Sequence, residues 1–269
     1  MGLSTMEVPL KAGVALADRV IRLIRQAFVD RPDFDTAVSR AVLQRASAGL
    51  EPEVLRLYRP AAIVAFGPQD TAAHGYAAAV QAALDGGFAA VRRLAGGRAA
   101  VFHQTTFAFA WTIPDRDPVS GVRARFGLLA EIIAGALASL GIDARVGEVE
   151  GAYCPGEYSV NARGRTKLMG VGQRMVAGAA HVGGVVVAGG SQRIRDILTP
   201  VNAALGLSWD PAAVGSVEDE IGVLDCDAVE AAILRAFSDR FTLTEEAGLS
   251  AEVLGLAGTL VGQHRPFGA

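Results

Sequence analysis

The sequence predicts an α+β fold, one domain with a mixed, largely antiparallel sheet flanked by helices. Two observations carry this. Strand-like runs alternate with helical patterns but in no regular βαβ rhythm, and the Gly- and Val-rich stretch 151–190 looks like a set of antiparallel strands. Along the chain, ADRVIRLIRQAFVD (17–30) places apolar residues at 20, 21, 24, 27 and 28, the spacing of a helix. DTAVSRAVLQRASAG reads as a second helix, with Asp35 as cap and Gly49 as stop. VLRLYRP alternates like a strand and AAIVAFG reads as a buried one. TAAHGYAAAVQAALDGG is a helix ending at Gly86-Gly87. FAAVRR, AAVFH and TFAFAWTI are short β-like runs, and a long helix follows from about Val122 to Leu140. The antiparallel set comprises EYSVNARGRTK, LMGVGQRMV and HVGGVVVAG; the remainder is mainly helical, punctuated by Pro200 and Pro211.

Composition narrows the class. At 269 residues with 51% hydrophobic side chains there is ample material for a core, and a net charge of −3 argues against a general binder of nucleic acid or anionic membrane. The longest apolar run, Phe126 to Ile142, carries Glu131 in its middle and reads as a buried helix rather than a span. The N-terminus shows no cationic region followed by an apolar core, so no signal peptide is expected. Cys154 and Cys226 form no C-x-x-C pair, which points to a reducing, cytoplasmic setting and no metal site. Among 25 cationic side chains only Lys11 and Lys167 are lysines; the rest are arginines.

Three segments can carry chemistry. In VRRLAGGRAAVFH, Arg92 and Arg93 end a strand and the Gly96-Gly97 turn lets backbone amides approach an anion, with Arg98 beside them. A Gly-Gly hairpin with solvated arginines is the plainer alternative. In GAYCPGEYSV, Cys154 precedes a Pro-Gly turn, where a thiol is accessible and, beside a cation, becomes a nucleophile. A small buried hydrophobe is the alternative, and it is the reading kept for Cys226, which sits between two aspartates. In ARGRTKLMGVGQR, a hairpin tip delivers Lys167, a compact charge with three rotatable donors suited to a carbonyl oxygen. An ordinary exposed lysine is less natural where Arg fills the surface. His74 is read as structural and His264 as exposed.

The order and wording of these segments resemble the lipoate–protein ligase and octanoyltransferase superfamily, whose fold is related to the catalytic domain of biotin protein ligases. The matching positions are Arg92, Arg93, Gly96, Gly97 and His103, then Gly164, Arg165, Lys167, Gly170 and Gln173. LRLYRPAAIVAFGPQD resembles the family's opening strand pair, ending at Gly67 and Gln69, and HVGGVVVAG from His181 its later apolar strand. The likeness runs from about residue 35 to 240. It implies a catalytic domain over 35–240, an N-terminal extension over 1–34 packed on it, and a C-terminal tail over 241–269. Two positions depart from the pattern: Gln104 follows His103 where the family has Asp or Asn, and Ala180 stands where a second His is usual.

Cys154-Pro155-Gly156-Glu157-Tyr158, with Lys167 shortly after, is similar to the cysteine-dependent octanoyltransferase branch. Gly96-Gly97-Arg98 also resembles that branch more than the Gly-Gly-Gly of ATP-using ligases. The resemblance implies transfer of an octanoyl or lipoyl group from a thioester on acyl carrier protein or a lipoyl-carrier protein, through acyl-Cys154, to a lysine of a lipoyl-domain protein. Lys167 would stabilise the developing oxyanion, while Arg92, Arg93, Arg98, Gly96, Gly97, His103, Gly170, Gln173 and His181 would shape the substrate site. No cofactor is then required, no nucleic acid or membrane is a partner, and the enzyme works as a monomer. Two alternatives remain: an ATP- and Mg-dependent lipoate or octanoate ligase passing through an acyl-adenylate, and a catalytically silent homologue that binds an acyl group or a lipoyl domain.

Overall fold

A computed structural model describes residues 19–267; Lys11 and the first two residues of the helix expected over 17–30 lie outside them. In chain order the elements are β1 (Val20–Ile24), α1 (Pro32–Ser47), β2 (Val54–Tyr58), β3 (Ile63–Phe66), α2 (Pro68–Thr71), α3 (Tyr76–Asp85), β4 (Ala89–Arg92), β5 (Ala100–Phe102), β6 (Thr106–Pro114), α4 (Val122–Ser139) and β7 (Ala144–Val146). They continue with β8 (Val160–Ala162), β9 (Thr166–Val176), β10 (Ala179–Val187), α5 (Ser191–Leu205), α6 (Val217–Ile221), α7 (Cys226–Ser238), β11 (Thr242–Glu246) and α8 (Ala251–Leu260). The fold is the predicted α+β class.

The large sheet runs β11-β1-β2-β6-β10-β9-β8-β7 and a small one runs β4-β3-β5. Only β1 with its two neighbours, and β3 with β4, pair in parallel; the other ladders are antiparallel. Strand alternation sends the two faces of the large sheet into different cores. Leu55, Leu57, Phe107, Phe109, Trp111 and Ile113 pack with α4 and α7, whereas Ile24 and Val54 pack with α1 and α8. A third core joins the small sheet to α3 and α5 through Val64, Phe66, Ala79, Ile194 and Leu198.

Several local expectations change. The helix expected over 17–30 is instead β1, because a parallel partner lies on each side of it and Ile21 and Leu23 share a buried face while Val20 is exposed. Asp35 does not cap α1, which opens three residues earlier with Pro32 in its first turn; the Asp35 carboxylate pairs with Arg56 instead. The helix expected from Thr71 to Gly86-Gly87 begins only at Tyr76 as α3, after a turn at 72–75, and Gly75 before it approaches the Ala204 carbonyl so closely that a Cβ would lie 1.8 Å from its oxygen. Pro200 lies inside α5 rather than ending a helix. The segment expected as a C-terminal tail supplies the edge strand β11 and α8, which packs on α1, and the expected N-terminal extension contributes β1 to the same sheet. Among the described residues, no helix is long and apolar enough to cross a membrane.

Candidate active site

A cavity of about 480 Å3 opens where four segments converge: the β4–β5 loop, the N-terminus of α4, the loop before β8, and β9 with its partner β10. Lys167 reaches it from the start of β9. Its backbone is fixed from both sides, by antiparallel pairing with Asn161 and by a bridge to Val214 whose neighbour Gly215 donates to the Lys167 carbonyl at 3.2 Å. The hairpin before it needs two left-handed residues, Arg163 (φ 55°) and Gly164 (φ 73°), and the Asn161 side chain accepts the Gly164 amide at 2.8 Å. This is the tight tip that the GRT sequence suggests.

The Lys167 side chain is 5% exposed and donates to the backbone carbonyl of Cys154. Its nitrogen lies 5.5 Å from the centre of the buried Tyr153 ring, and no carboxylate pairs with it among the described residues. Burial holds its pKa below the ordinary lysine value; Cys154 opposes that shift and Arg93 reinforces it.

Cys154 is half-buried on the facing loop. That loop is tied down at Gly151, whose carbonyl accepts the Asp210 amide at 2.8 Å, and at Gly156, whose carbonyl accepts the Ser159 amide at 3.0 Å. The Cys154 sulfur accepts the backbone N–H of Arg98 at 3.4 Å, and the Arg98 carbonyl in turn accepts Arg93 Nη1 at 2.9 Å. Gly97 is required here twice over. Its φ is 101°, and a Cβ on it would stand 3.3 Å from the Cys154 sulfur. The Gly-Gly-Arg turn therefore directs an amide at the thiol.

Gln173 forms part of the wall and is held at both ends of its amide. Its Nε2 donates to the Val122 carbonyl at 2.8 Å, and its Oε1 accepts from Arg125 at 3.1 Å. Gly170 and Gly172 lie on the same wall, each in tight contact: a Cβ would be 3.2 Å from Lys167 Cε in one case and 3.0 Å from Arg93 Nη2 in the other. Arg93, Gly96, Gly97, Cys154, Lys167, Gly170 and Gln173 are thus brought to one cavity, and Arg98 joins them through its amide.

Three expected substrate-site residues are placed elsewhere. Arg92 turns away, its guanidinium stacked 3.8 Å from the Phe267 ring centre and its carbonyl facing His264. His103 is buried beside Thr105 and Gly190, and burial with Arg193 pushes its pKa down to about 4. His181 lies over Gly183 on the α1 side of β10, and burial, together with Arg56, Arg93 and Arg40, pushes it to about 3. His264, expected to be exposed, is fully buried: it accepts Arg40 Nε at 2.9 Å and donates through Nδ1 to the Arg92 carbonyl at 2.7 Å. All three buried histidines are neutral at pH 7, and none touches the thiol. Sequence reasoning missed Tyr153, the stacked Phe126–Tyr158 pair (5.1 Å) and the fully buried Arg125. Of these Tyr153 carried a signal in its adjacency to Cys154 and Tyr158 in closing the Cys-Pro-Gly-x-Tyr run; Phe126 and Arg125 carried none.

Comparison with known proteins agrees with this architecture. The family model for the lipoyl protein ligase A/B catalytic domain matches residues 31–238. An octanoyl-[GcvH]:protein N-octanoyltransferase of Geobacillus kaustophilus is 27% identical over 146 residues, 54% of this chain and 51% of that protein. The same enzyme of Anoxybacillus flavithermus is 26% identical over 164 residues, covering 60% and 58%. The matches thus span little more than half the length of these curated relatives. Among solved structures, a lipoate-protein ligase A bound with ATP superposes with a TM-score of 0.73 at 22% identity, covering 92% of this chain and 95% of the other. A bipartite lipoate protein ligase from Thermoplasma acidophilum, studied with its E2 lipoyl domain, gives 0.69 at 19% identity and covers 92% of each. These structures share the fold. On the extent of the family match, the chain belongs to the lipoyl protein ligase A/B catalytic domain family.

Proposed function

We propose that this protein is an acyltransferase that moves an octanoyl or lipoyl group from a carrier-protein thioester, through an acyl-Cys154 intermediate, to a lysine of a lipoyl-domain protein. The observation that carries the reading is the placement of Cys154 and Lys167 on one cavity, with the Arg98 amide directed at the sulfur. An N–H donated to sulfur stabilises its anionic form, the attacking species. In the first half-reaction the thiolate bonds to the thioester carbon and the electron pair moves onto oxygen. Collapse then expels the carrier's sulfur, which leaves as a thiol once it takes a proton. Lys167 commits one donor to the Cys154 carbonyl and turns the others to the developing oxyanion, where one such donor is worth about 10²–10³ in rate.

In the second half-reaction the ε-amine of the acceptor lysine forms the C–N bond, the C–S bond to Cys154 breaks, and the amine loses a proton as the amide appears. A thioester is consumed and an amide made, so no further energy source is needed. The curated relatives' name, with octanoyl-[GcvH] as donor, supports a lipoyl-carrier protein as a donor for this chain, and the archaeal ligase studied with an E2 lipoyl domain supports an acceptor of lipoyl-domain type. Acyl carrier protein is the other donor proposed for this chain. A free thiol nucleophile also fits a reducing, cytoplasmic compartment. Arg93 and the Gly96–Gly97 turn line the acyl entrance in this scheme. Arg92, His103 and His181 act from behind it as packing residues.

The ATP-dependent route receives less support from the same turn. The Arg98 amide that would otherwise be free for a phosphate is given to sulfur, and the Arg98 side chain reaches Asp70. The deciding experiment is intact-mass measurement after incubation with octanoyl-acyl carrier protein. One added octanoyl group is expected, and it should be lost in Cys154→Ser and in Cys154→Ala. Lipoate-dependent ATP–pyrophosphate exchange that survives Cys154→Ala would establish the ligase instead.

A further inference from the structure

The β3–α2 corner lies outside the cavity wall but touches the turn that serves it. The chain leaves β3 at Gly67 and enters the four-residue α2 through Pro68, closing a capping arrangement in which Asp70 Oδ2 accepts the Gly67 amide at 3.0 Å. Asp70 is fully buried. A carboxylate removed from water has to be compensated by hydrogen bonds or by a cation. Its second oxygen, Oδ1, meets Arg98 Nη1 at 3.4 Å. Gly67 itself presses on the same turn, since a Cβ built there would fall 1.7 Å from the Gly97 carbonyl oxygen.

We infer that this corner is the positioning element for Cys154: Asp70 and Gly67 hold the Gly97–Arg98 peptide so that its amide faces the sulfur. The carbonyl and amide of that peptide, the next carbonyl and the Arg98 side chain each have an assigned neighbour. The Gly97 carbonyl rests on Gly67, the Arg98 amide points at the Cys154 sulfur, the Arg98 carbonyl accepts Arg93, and the Arg98 guanidinium is moored to Asp70. A peptide whose carbonyl is hemmed in by Gly67, and whose following carbonyl and side chain are both anchored, has little freedom to rotate its N–H away. The short α2 matters only as the frame that presents Asp70. Gly67 is glycine because a backbone carbonyl, not a yielding side chain, occupies the place of its Cβ. Asp70 touches neither cavity nor sulfur, so it acts through Arg98 and is a positioning residue. Its catalytic consequence rests on the acyl-Cys154 reading; its geometric role does not.

The test reads the sulfur directly. In a Cys226→Ala background, Cys154 is the sole thiol, and its alkylation by iodoacetamide is followed by intact mass from about pH 5.5 to about pH 9. Asp70→Asn keeps the volume but replaces one acceptor oxygen with a donor, so it cannot serve both Gly67 and Arg98. Alkylation at neutral pH is expected to slow about fivefold, the worth of one hydrogen bond, and its pH midpoint to rise. Gly67→Ala leaves every charge in place, is expected to move the midpoint the same way, and stands as the test should Asp70→Asn fail to fold. An unchanged midpoint with a lowered melting temperature would overturn the inference by making the corner merely structural. A midpoint that falls in Asp70→Asn would overturn it too, since Asp70 would then act on the sulfur only as a nearby anion. Alkylation needs no acyl donor. A protein alkylated as expected but never acylated by octanoyl-acyl carrier protein or by an octanoylated lipoyl-carrier protein would therefore sink the transferase reading and leave this one standing.

Discussion

Two of the buried cations among the described residues, Arg56 and Lys167, sit under opposite terms. Arg56, on β2, is 1% exposed and surrounded by acceptors: the Asp35 carboxylate, the Ser39 hydroxyl at 3.0 Å and the Gln26 carbonyl at 3.0 Å, with Tyr58 stacked 4.4 Å from its centre. Lys167 is buried nearly as deeply but has a single backbone carbonyl for a partner and a cavity in front of it. The first arrangement spends its charge on holding α1 against the sheet. The second keeps charge and donors uncommitted. Burial alone does not mark a functional cation; burial without a paired anion, beside open space, does.

The largest effect that would break this contrast is in stability. Asp35→Ala should cost about 3–5 kcal/mol in urea unfolding, because it strands a buried guanidinium. Pairing it with Arg56→Met should return much of that loss; a double variant as unstable as the single one would show that Arg56 is not the cause. Lys167→Met should behave oppositely. Its unfolding midpoint should stay or rise, while the rate of Cys154 acylation by octanoyl-acyl carrier protein falls about 10²–10³-fold. A stable variant with unimpaired acylation would remove Lys167 from the mechanism.

A smaller effect tests the buried histidines, the third kind of polar group in the interior. His103 and His264 are pushed down to about 4 and His181 to about 3, from an ordinary 6.5. Above pH 6.5 neither the folded nor the unfolded chain binds these protons. As pH falls from about 6.5 towards 4, the unfolded chain takes them up and the folded one does not. Stability is therefore complete at neutral pH and is lost on acidification, by about 1.4 kcal/mol per pH unit for each histidine. In urea titrations at pH 7 and about pH 5, His264→Gln should show a shallower loss than the parent. Equal slopes would mean that His264 is not held neutral. The smallest expectation is for the exposed Asp143–Arg145 pair, where Asp143→Asn should leave the melting temperature unchanged within error.

The same contrast explains what could be read before folding. Lys167, Cys154 and the Gly96-Gly97 turn were legible because the chemistry is local: a hairpin tip, a Pro-Gly turn and two residues without side chains. The strands β2, β3, β6, β9 and β10 were legible by alternation or by continuous apolar runs. What escaped was set by distant partners. VIRLI has the spacing of a helix, and only β11, more than two hundred residues away, and β2 make it a strand. TLTEE has no apolar alternation, since β11 is a largely exposed edge. His264 near the end of the chain gave no sign of Arg40, its partner 224 residues earlier. Asp70 and Arg98 stand 28 apart in a region without periodicity, so their contact had no signature.

Lys167 is the one lysine among the described residues, and it is buried in the cavity wall rather than on the outside. The remaining cations there are guanidinium groups, which stay protonated and do not attack thioesters. Apart from Lys167, which the proposed scheme engages at the oxyanion, the described residues offer no lysine amine to an acyl group destined for the acceptor's lysine. On the acyl-Cys154 chemistry, near-exclusive use of arginine is a form of self-protection, leaving the acceptor protein as the available target.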